Sequence, residues 1–311
     1  MKKYLLLVLI VSSLSCKQDM SKNEKSELPP DYKNYWYSGN AEITSYKLQQ
    51  ARYGELRNGT AITIFVTEDF SKLHQVKLDD PSNNSEDAVP ILKFNLTKNF
   101  ITGIYPYSMM LSVFKPIDMN NVAHPLKITS TSQEWCGHTF CQLNSKENNY
   151  SLKLFSYFEK ESDQEISLSK VWLEDELWSQ IRINPKLLPL GEFQIISGFL
   201  QQRLLHHEIK ILNAVAEQHD LLDSISWLNT FEKTQVYHIK IKDLDRELII
   251  YYSKSFPYSI FGWEEKYMDG LGKNKKMLTT RASKMKSINI DYWNHNKTQD
   301  STLRKALNLF N

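Results

Sequence analysis

The sequence predicts a mainly β protein of curved antiparallel sheet, half-barrel or sandwich-like, with one or two helices. Three observations favour this class. Sixteen Tyr, fourteen Phe and seven Trp make the chain rich in aromatic residues, which are common in strands. Many stretches alternate apolar and polar residues with the two-residue period of a strand. Turn-forming residues separate these stretches at short intervals.

The first half of the chain contains a series of predicted strands. Residues 91–105 show the clearest alternation, because Leu92 and Phe94 fall on one face and polar residues on the other. Asn58-Gly59 is a strong hairpin signal and predicts a turn. The predicted strands of this half are 41–55, 60–70, 91–105, 109–117, 126–135 and 150–160.

The period changes over residues 169–183. Leu173, Leu177 and Ile181 recur every four residues, and Ser169 can cap the start of a helix. We therefore expect a short amphipathic helix here. Its carboxylates at positions 174–176 would lie in the first turn, where the helix dipole favours negative charge, and we expect them to be solvated.

Residues 193–217 fit both periods and are ambiguous. Their first part has apolar residues at helical spacing, whereas their second part alternates as a strand does. The rest of the chain returns to the strand period, with tight turns near 243–245 and 270–272. The predicted strands of this part are 234–243, 247–254, 259–269 and 276–293.

The N-terminus has the layout of a secretory signal peptide. Lys2 and Lys3 precede a mostly apolar run at 4–14, which is shorter than the roughly 20 residues of a transmembrane helix. Ser15-Cys16 then resembles the lipobox of bacterial lipoproteins, which implies cleavage before Cys16 and lipidation of that cysteine. The alternative is an ordinary signal peptide with an unmodified cysteine.

The lipoprotein resemblance also implies a location. Lysine rather than aspartate follows Cys16, which favours the outer membrane, with the chain facing the periplasm or the cell surface. The polar stretch up to residue 34 contains Pro29-Pro30 and predicts a tether. The expected organisation is a signal peptide at 1–15, the lipidated cysteine and flexible tether at 16–34, and a single mainly antiparallel β domain at 35–311.

Charge and motif content argue against several functions. The chain has 38 basic and 36 acidic residues, so no strongly basic stripe predicts binding to nucleic acid. It contains no phosphate-binding loop, no Gly-x-Ser-x-Gly elbow and no His-Glu-x-x-His pattern. We therefore expect no cofactor and no metal. The expected contact with a membrane is the lipid on Cys16.

Six segments of the sequence carry a resemblance to a known family: YWYSGNAEITSYKLQQARYGELRNGTA (35–61), TKNFITGIYPYSMM (97–110), QEWCGH (133–138), WLEDELW (172–178), FPYSIFGWEE (256–265) and TTRASKMKSINIDYW (279–293). They resemble uncharacterised Gram-negative lipoproteins that often carry the label "septum formation inhibitor Maf". The Ser-x-Ser-x-x-Arg motif of Maf nucleotide pyrophosphatases does not occur in this sequence. The resemblance therefore implies an envelope location and a fold, not nucleotide hydrolysis.

The segment EWCGHTFC holds the densest set of reactive side chains. In a straight strand Glu134, Cys136 and His138 share one face, and a carboxylate, a thiol and an imidazole are the parts of an activated nucleophile. A turn at Gly137 would instead allow a disulfide between Cys136 and Cys141. A patch that contacts a ligand without catalysis is the third alternative.

These observations favour a non-enzymatic binding or scaffolding module anchored in the outer membrane. Its ligand would be a lipid, a glycan or another envelope protein, and the candidate contacts are Arg52, Glu55, Trp135 and His138. Arg52 would suit an anionic headgroup. The alternative is an envelope hydrolase with Cys136 as the nucleophile, assisted by His138 and Glu134.

Overall fold

The computed structural model describes residues 28–84, 86–228, 230 and 232–309. Strands dominate this part of the chain. Their bounds are β1 (Ala41–Arg52), β2 (Glu55–Ser71), β3 (Ala88–Thr102), β4 (Tyr105–Pro116), β5 (Lys127–Glu134), β6 (Gly137–Ser145), β7 (Asn149–Ser156), β8 (Gln164–Ser169), β9 (Trp172–Leu173), β10 (Gly191–Ile196), β11 (Ile211–Asp220), β12 (Thr234–Ile241), β13 (Arg246–Ser253), β14 (Ile260–Asp269) and β15 (Lys276–Ile290).

All these strands belong to one open sheet. Its order is β8-β7-β6-β5-β4-β3-β2-β1-β15-β14-β13-β12-β11-β10-β9. Neighbouring strands are antiparallel except for β9 and β10, which pair in parallel over two residues. The predicted mainly antiparallel class is therefore confirmed, in the form of a single sheet.

The described helices are short. They are α1 (Pro30–Trp36), α2 (Leu177–Ile183), α3 (Phe199–Leu205) and α4 (Leu303–Ala306), so the structure has more helices than the one or two predicted. In the part of the chain that the structure describes, no helix has the length and apolar character needed to cross a membrane.

The core lies on the concave side of the sheet, around α2. The ring of Trp178 on α2 is 5.9 Å from that of Phe94 on β3 and 5.1 Å from that of Trp263 on β14. Three strands separate β3 from β14 in the sheet, and neighbouring strands are about 4.8 Å apart. One indole touches both strands because the sheet curves around the helix.

The first hairpin turns at Tyr53-Gly54, and the predicted turn at Asn58-Gly59 is wrong. Both residues of the observed turn have positive φ, 58° and 76°, as a two-residue hairpin turn requires. Gly59 lies inside β2, where a β-carbon would stand 2.3 Å from the carbonyl oxygen of Asn99. Close packing between two strands, not a turn, therefore requires glycine at position 59.

The helix predicted at 169–183 forms only in its second half. Ser169 is the last residue of β8, and residues 174–176 form a 3₁₀ turn before α2 begins at Leu177. The ambiguous segment 193–217 contains both a helix and strands, since α3 lies between β10 and β11.

The folded part begins earlier than predicted. The segment predicted as a tether extends to residue 34, yet α1 starts at Pro30, and proline suits the first turn of a helix. Tyr32 and Trp36 of α1 are buried in the core. The predicted signal peptide, the lipidated Cys16 and residues 17–27 lie outside the described residues.

Candidate functional site at the hairpin rim

Five turns lie at one end of the curved sheet. We call this end the hairpin rim and define it by residues 270–275, 53–54, 103–104, 135–136 and 157–163, in the order in which they follow one another along the sheet. They share one end because they are alternate turns of an antiparallel meander. The turn at 242–245 and the connection that contains α3 also lie at this end, but they are not included in the hairpin rim.

Contacts of the backbone and of side chains join each turn of the rim to the next. Gly54 lies against Asn274, where a β-carbon would be 2.9 Å from the carbonyl oxygen, and the hydroxyls of Tyr53 and Tyr107 are 2.9 Å apart. The rings of Tyr105 and Trp135 stack at 6.3 Å, and the ring of Tyr157 covers Gly137. The rim is therefore a continuous surface.

Large apolar side chains project from four of these five turns. Ile104 is 82% exposed, Leu271 77%, Tyr157 70% and Trp135 69%. Single exposed apolar residues are normal on a protein surface, but contiguous apolar patches mark interaction sites. Trp135 was a candidate from the sequence. The other three were missed, although an apolar residue beside a glycine, as in Gly103-Ile104 and Gly270-Leu271, was a usable signal.

Arg52 lies beneath this surface, buried at the end of β1. Its guanidinium donates hydrogen bonds to the hydroxyls of Tyr53 and Tyr107, at 3.1 and 3.0 Å, and to the carbonyl oxygen of Leu204 in α3. Among the described residues none of the ion pairs includes Arg52. Arg52 thus supports the rim and α3 from inside rather than facing solvent.

Glu55 lies beside the same turn and is exposed. Its carboxylate pairs with the guanidinium of Arg57, two residues further along β2, at 2.8 Å. Such a pair in solvent contributes little to stability.

Cys136 occupies the turn between β5 and β6. Its thiol is exposed, and its backbone N–H donates to the Glu134 carboxylate at 2.6 Å. The hydrogen bond and negative charge of Glu134 raise the pKa of the Cys136 thiol. A nucleophilic cysteine needs the opposite, a lowered pKa that supplies thiolate.

His138 and Glu134 lie on opposite faces of the sheet. Glu134 pairs across the hairpin with Gly137, and Gln133 pairs with His138, so the side chains of successive pairs alternate. Glu134 is buried and His138 is exposed. The shared face expected for a straight strand does not form, because the chain reverses at Trp135-Cys136. The proposed catalytic set is therefore not assembled around His138.

The two cysteines are free thiols. A disulfide was the alternative that a turn at Gly137-His138 would allow, but the turn falls two residues earlier, at Trp135-Cys136. Cys141 lies inside β6, buried opposite Ser130, and burial raises the pKa of its thiol. The structure thus keeps one cysteine on the rim and the other in the core.

The carboxylates at 174–176 are buried, and the expectation that they are solvated is wrong. Arg246 forms a two-pronged ion pair with Glu174 and lies 3.4 Å from Glu265, which also accepts from Lys98 at 2.6 Å. Glu176 pairs with Lys115 and His124 at 2.5 and 2.7 Å. These partners come from distant strands and connections, so local sequence could not reveal them.

The interior of the described sheet offers little space for a ligand. Two cavities border α3, with volumes of about 30 Å³ beside Gln202 and about 20 Å³ beside Gln201. Volumes of this size suit one or two water molecules. The sequence was compatible with a lipid held inside the curved sheet. Such a lipid would require α2 and α3 to leave the core.

A larger polar groove lies on the rim itself. It measures about 370 Å³ and is bordered by Tyr53, Glu55 and the lysines at 273, 275 and 276. Of the residues singled out from the sequence, the structure brings Arg52, Glu55, Trp135, Glu134 and Cys136 to this rim. His138 points away from the rim, onto the convex face, and Cys141 lies in the core.

Nothing in the described part of the chain resembles a metal centre, since no three His, Cys, Asp or Glu side chains are grouped closely enough to hold an ion. Comparison of the chain with protein-family models, with curated proteins and with solved structures found no match.

Proposed function

We propose that this protein is a lipid-anchored binding module of the cell envelope, without catalytic activity, and that the hairpin rim is its binding surface. The proposed anchor is Cys16 in the outer membrane, as the lipobox resemblance implies. The proposal treats the folded sheet as a rigid support for the rim.

The exposure of Ile104, Trp135, Tyr157 and Leu271 carries this proposal. Each side chain extends from a separate turn, and the turns contact one another. Leaving such side chains in water costs about 25 cal/mol per Å² of apolar surface relative to burial. A partner that covers the rim would recover part of this free energy.

The position of α1 supports the same proposal. α1 directly precedes β1, and the rings of Tyr35 and Phe256 meet 5.7 Å apart in the turn region opposite to the rim. β1 has twelve residues and so extends about 40 Å. An anchor that precedes α1 would hold the sheet by one end and leave the rim about that distance away.

The chemistry of Cys136 supports binding rather than hydrolysis. Its pKa is raised by Glu134, and the nearest histidine in sequence, His138, lies on the other face. An attacking thiolate would be scarce at neutral pH, and the imidazole of His138 is not oriented to form it.

Site-specific photo-crosslinking in cells tests the proposal. A photoreactive amino acid replaces Ile104 in the full chain, and the matched control replaces Leu222, which is 92% exposed at the opposite end. We expect a covalent adduct from position 104 and none from position 222. Equal labelling at both positions, or none at 104, would contradict a binding role for the rim.

A further inference from the structure

We infer that the hairpin rim binds a bilayer surface that carries anionic headgroups. This inference rests on the proposed function and names the partner class of the same surface. It follows from the shape of the rim, from the chemistry of its exposed side chains and from a group of unpaired lysines.

The shape favours a fluid partner. The exposed side chains of Ile104, Trp135, Tyr157 and Leu271 stand on separate turns, so the apolar surface consists of projections rather than one concave pocket. A bilayer adapts to separate projections, because lipids rearrange around each of them. A folded protein would need a surface whose shape matches these separate projections.

The side chains are those found where protein meets lipid. Trp and Tyr concentrate at membrane interfaces, since their rings combine an apolar body with a polar group. Ile104 and Leu271 are aliphatic and would enter the acyl region, with the two rings at the level of the headgroups. Aliphatic tips would gain little from stacking on a sugar.

Charge complementarity points to anionic lipid. Lys273, Lys275 and Lys276 surround the groove on the rim and are exposed. In the described residues no carboxylate lies within ion-pair distance of these three lysines. The acidic residue nearest to them in the groove, Glu55, is already paired with Arg57.

Several lysines elsewhere in the described structure form ion pairs. Lys254 and Lys266 pair with Asp220 and Glu247, at 2.7 and 3.3 Å. The turn at the far end of the rim carries three carboxylates, Glu159, Glu161 and Asp163, and one lysine, Lys160, so its net charge is negative. Among the five turns of the rim, lysines outnumber carboxylates only at the 270–275 turn and the adjoining start of β15, beside Leu271. A lysine near an anionic surface increases affinity about fivefold.

The opposite end of the sheet also exposes apolar side chains, among them Tyr37, Val76 and Trp293. Leu73 and Leu222 are also well exposed there, but they lie on loops of β2 and β12, with four strands between them. They therefore provide controls, because they are exposed apolar residues at the end of the sheet away from the rim.

Fluorescence quenching by lipid tests the inference. The full chain carries C16S, and the exposed Cys136 thiol beside Trp135 is labelled with a nitrobenzoxadiazole fluorophore. The buried Cys141 does not react in the folded chain, which a C16S/C136S sample verifies. The control chain is C16S/C136S/L73C, labelled at the opposite end. All samples carry the same N-terminal segment, so a difference between positions 136 and 73 reports which end of the sheet meets the lipid.

Vesicles contain phosphatidylcholine with or without phosphatidylglycerol, and a doxyl quencher on an acyl chain. We expect quenching at position 136 that is several-fold stronger with phosphatidylglycerol, and none at position 73. I104N should reduce quenching in both vesicle types, whereas K273Q/K275Q/K276Q should remove only the effect of phosphatidylglycerol. All three lysines are exposed, so this variant retains the fold, which circular dichroism checks.

The possible failures are distinguishable. No quenching at 136 in either vesicle, together with a protein or glycan adduct at position 104 in cells, overturns the lipid partner and leaves the rim as a binding surface. Equal quenching at 136 and 73 overturns the inference, because the whole sheet then lies on the membrane. No quenching and no adduct at 104 overturn both proposals.

Discussion

Arg182 on α2 donates hydrogen bonds to both carboxylate oxygens of Glu42 on β1, at 2.5 and 2.6 Å. The hydroxyl of Tyr35, on α1, donates to the same carboxylate. Burial alone would raise the pKa of Glu42, but Arg182 and Tyr35 reverse this and the pKa is lowered. One carboxylate thus connects two helices to the centre of the sheet.

E42Q should destabilise the protein strongly, by about 3–5 kcal/mol, because it leaves the buried Arg182 charge without a counter-ion. Urea denaturation followed by circular dichroism measures the loss. E55Q is the matched control, since Glu55 is exposed and its pair with Arg57 is solvated. We expect that variant to lose less than about 1 kcal/mol. Similar losses in both variants would contradict the role given to the buried pair.

Asp175 should make stability depend on pH. Burial, opposed by the backbone N–H of Phe199, raises the pKa of Asp175 to about 8. The folded chain then holds a proton that the unfolded chain has lost above about pH 4. The contribution of Asp175 to the free energy of unfolding therefore falls as pH rises from about 4 to about 8, by about 1.4 kcal/mol per pH unit. Above about pH 8 this contribution no longer changes with pH.

D175N isolates this effect, because asparagine resembles the protonated acid and still accepts from Phe199. The stability of D175N relative to wild type should increase between pH 5 and pH 8, as measured by urea denaturation at each pH. Other titrating groups cancel in this difference. A difference that stays constant across that range would show that Asp175 is ionised in the folded protein.

Alkylation by iodoacetamide at pH 8 should modify Cys136 slowly and Cys141 only after unfolding. The first thiol is exposed but has a raised pKa, and the second is buried. E134Q should accelerate alkylation of Cys136, because it removes the negative charge that disfavours the thiolate. H138A should leave the rate unchanged. Mass spectrometry follows both reactions, and a slower rate in H138A would revive the hydrolase alternative.

Arg52 should hold α3 in place. R52M removes the hydrogen bond to the Leu204 carbonyl, in the last turn of that helix. Hydrogen bonds from charged donors contribute about 1.5–3 kcal/mol, so amide hydrogen exchange across residues 199–206 should accelerate roughly 10- to 100-fold. R57M, on the neighbouring strand, is the control and should leave this segment unchanged. Equal exchange in R52M and wild type would contradict the positioning role.

The sequence was informative where structure depends on neighbouring residues. Alternation of side chains is a local property, so Leu92 and Phe94 were placed correctly on a buried face. The tight turns after β12 and β14 were predicted from their local residues too. The turn at Asn58-Gly59 failed because the same dipeptide suits a hairpin and a strand that packs closely on its neighbour.

The residues of the candidate site also fall into two groups, those that the sequence indicated and those that only the fold revealed. Sequence chemistry drew attention to Arg52, Trp135 and Cys136, and all three lie at the rim. It could not show that Tyr157 and Leu271 join them, because that requires the order of strands in the sheet.

What the sequence determined by itself is the mainly antiparallel β class and the short list of residues near the rim. Only the tertiary structure decided which charged side chains are buried. Glu174 and Glu176 are buried because Arg246 and Lys115, 72 and 61 residues away, meet them in the core. Burial of an ion depends on its partner, and a partner that distant is defined by the fold rather than by the residues beside it.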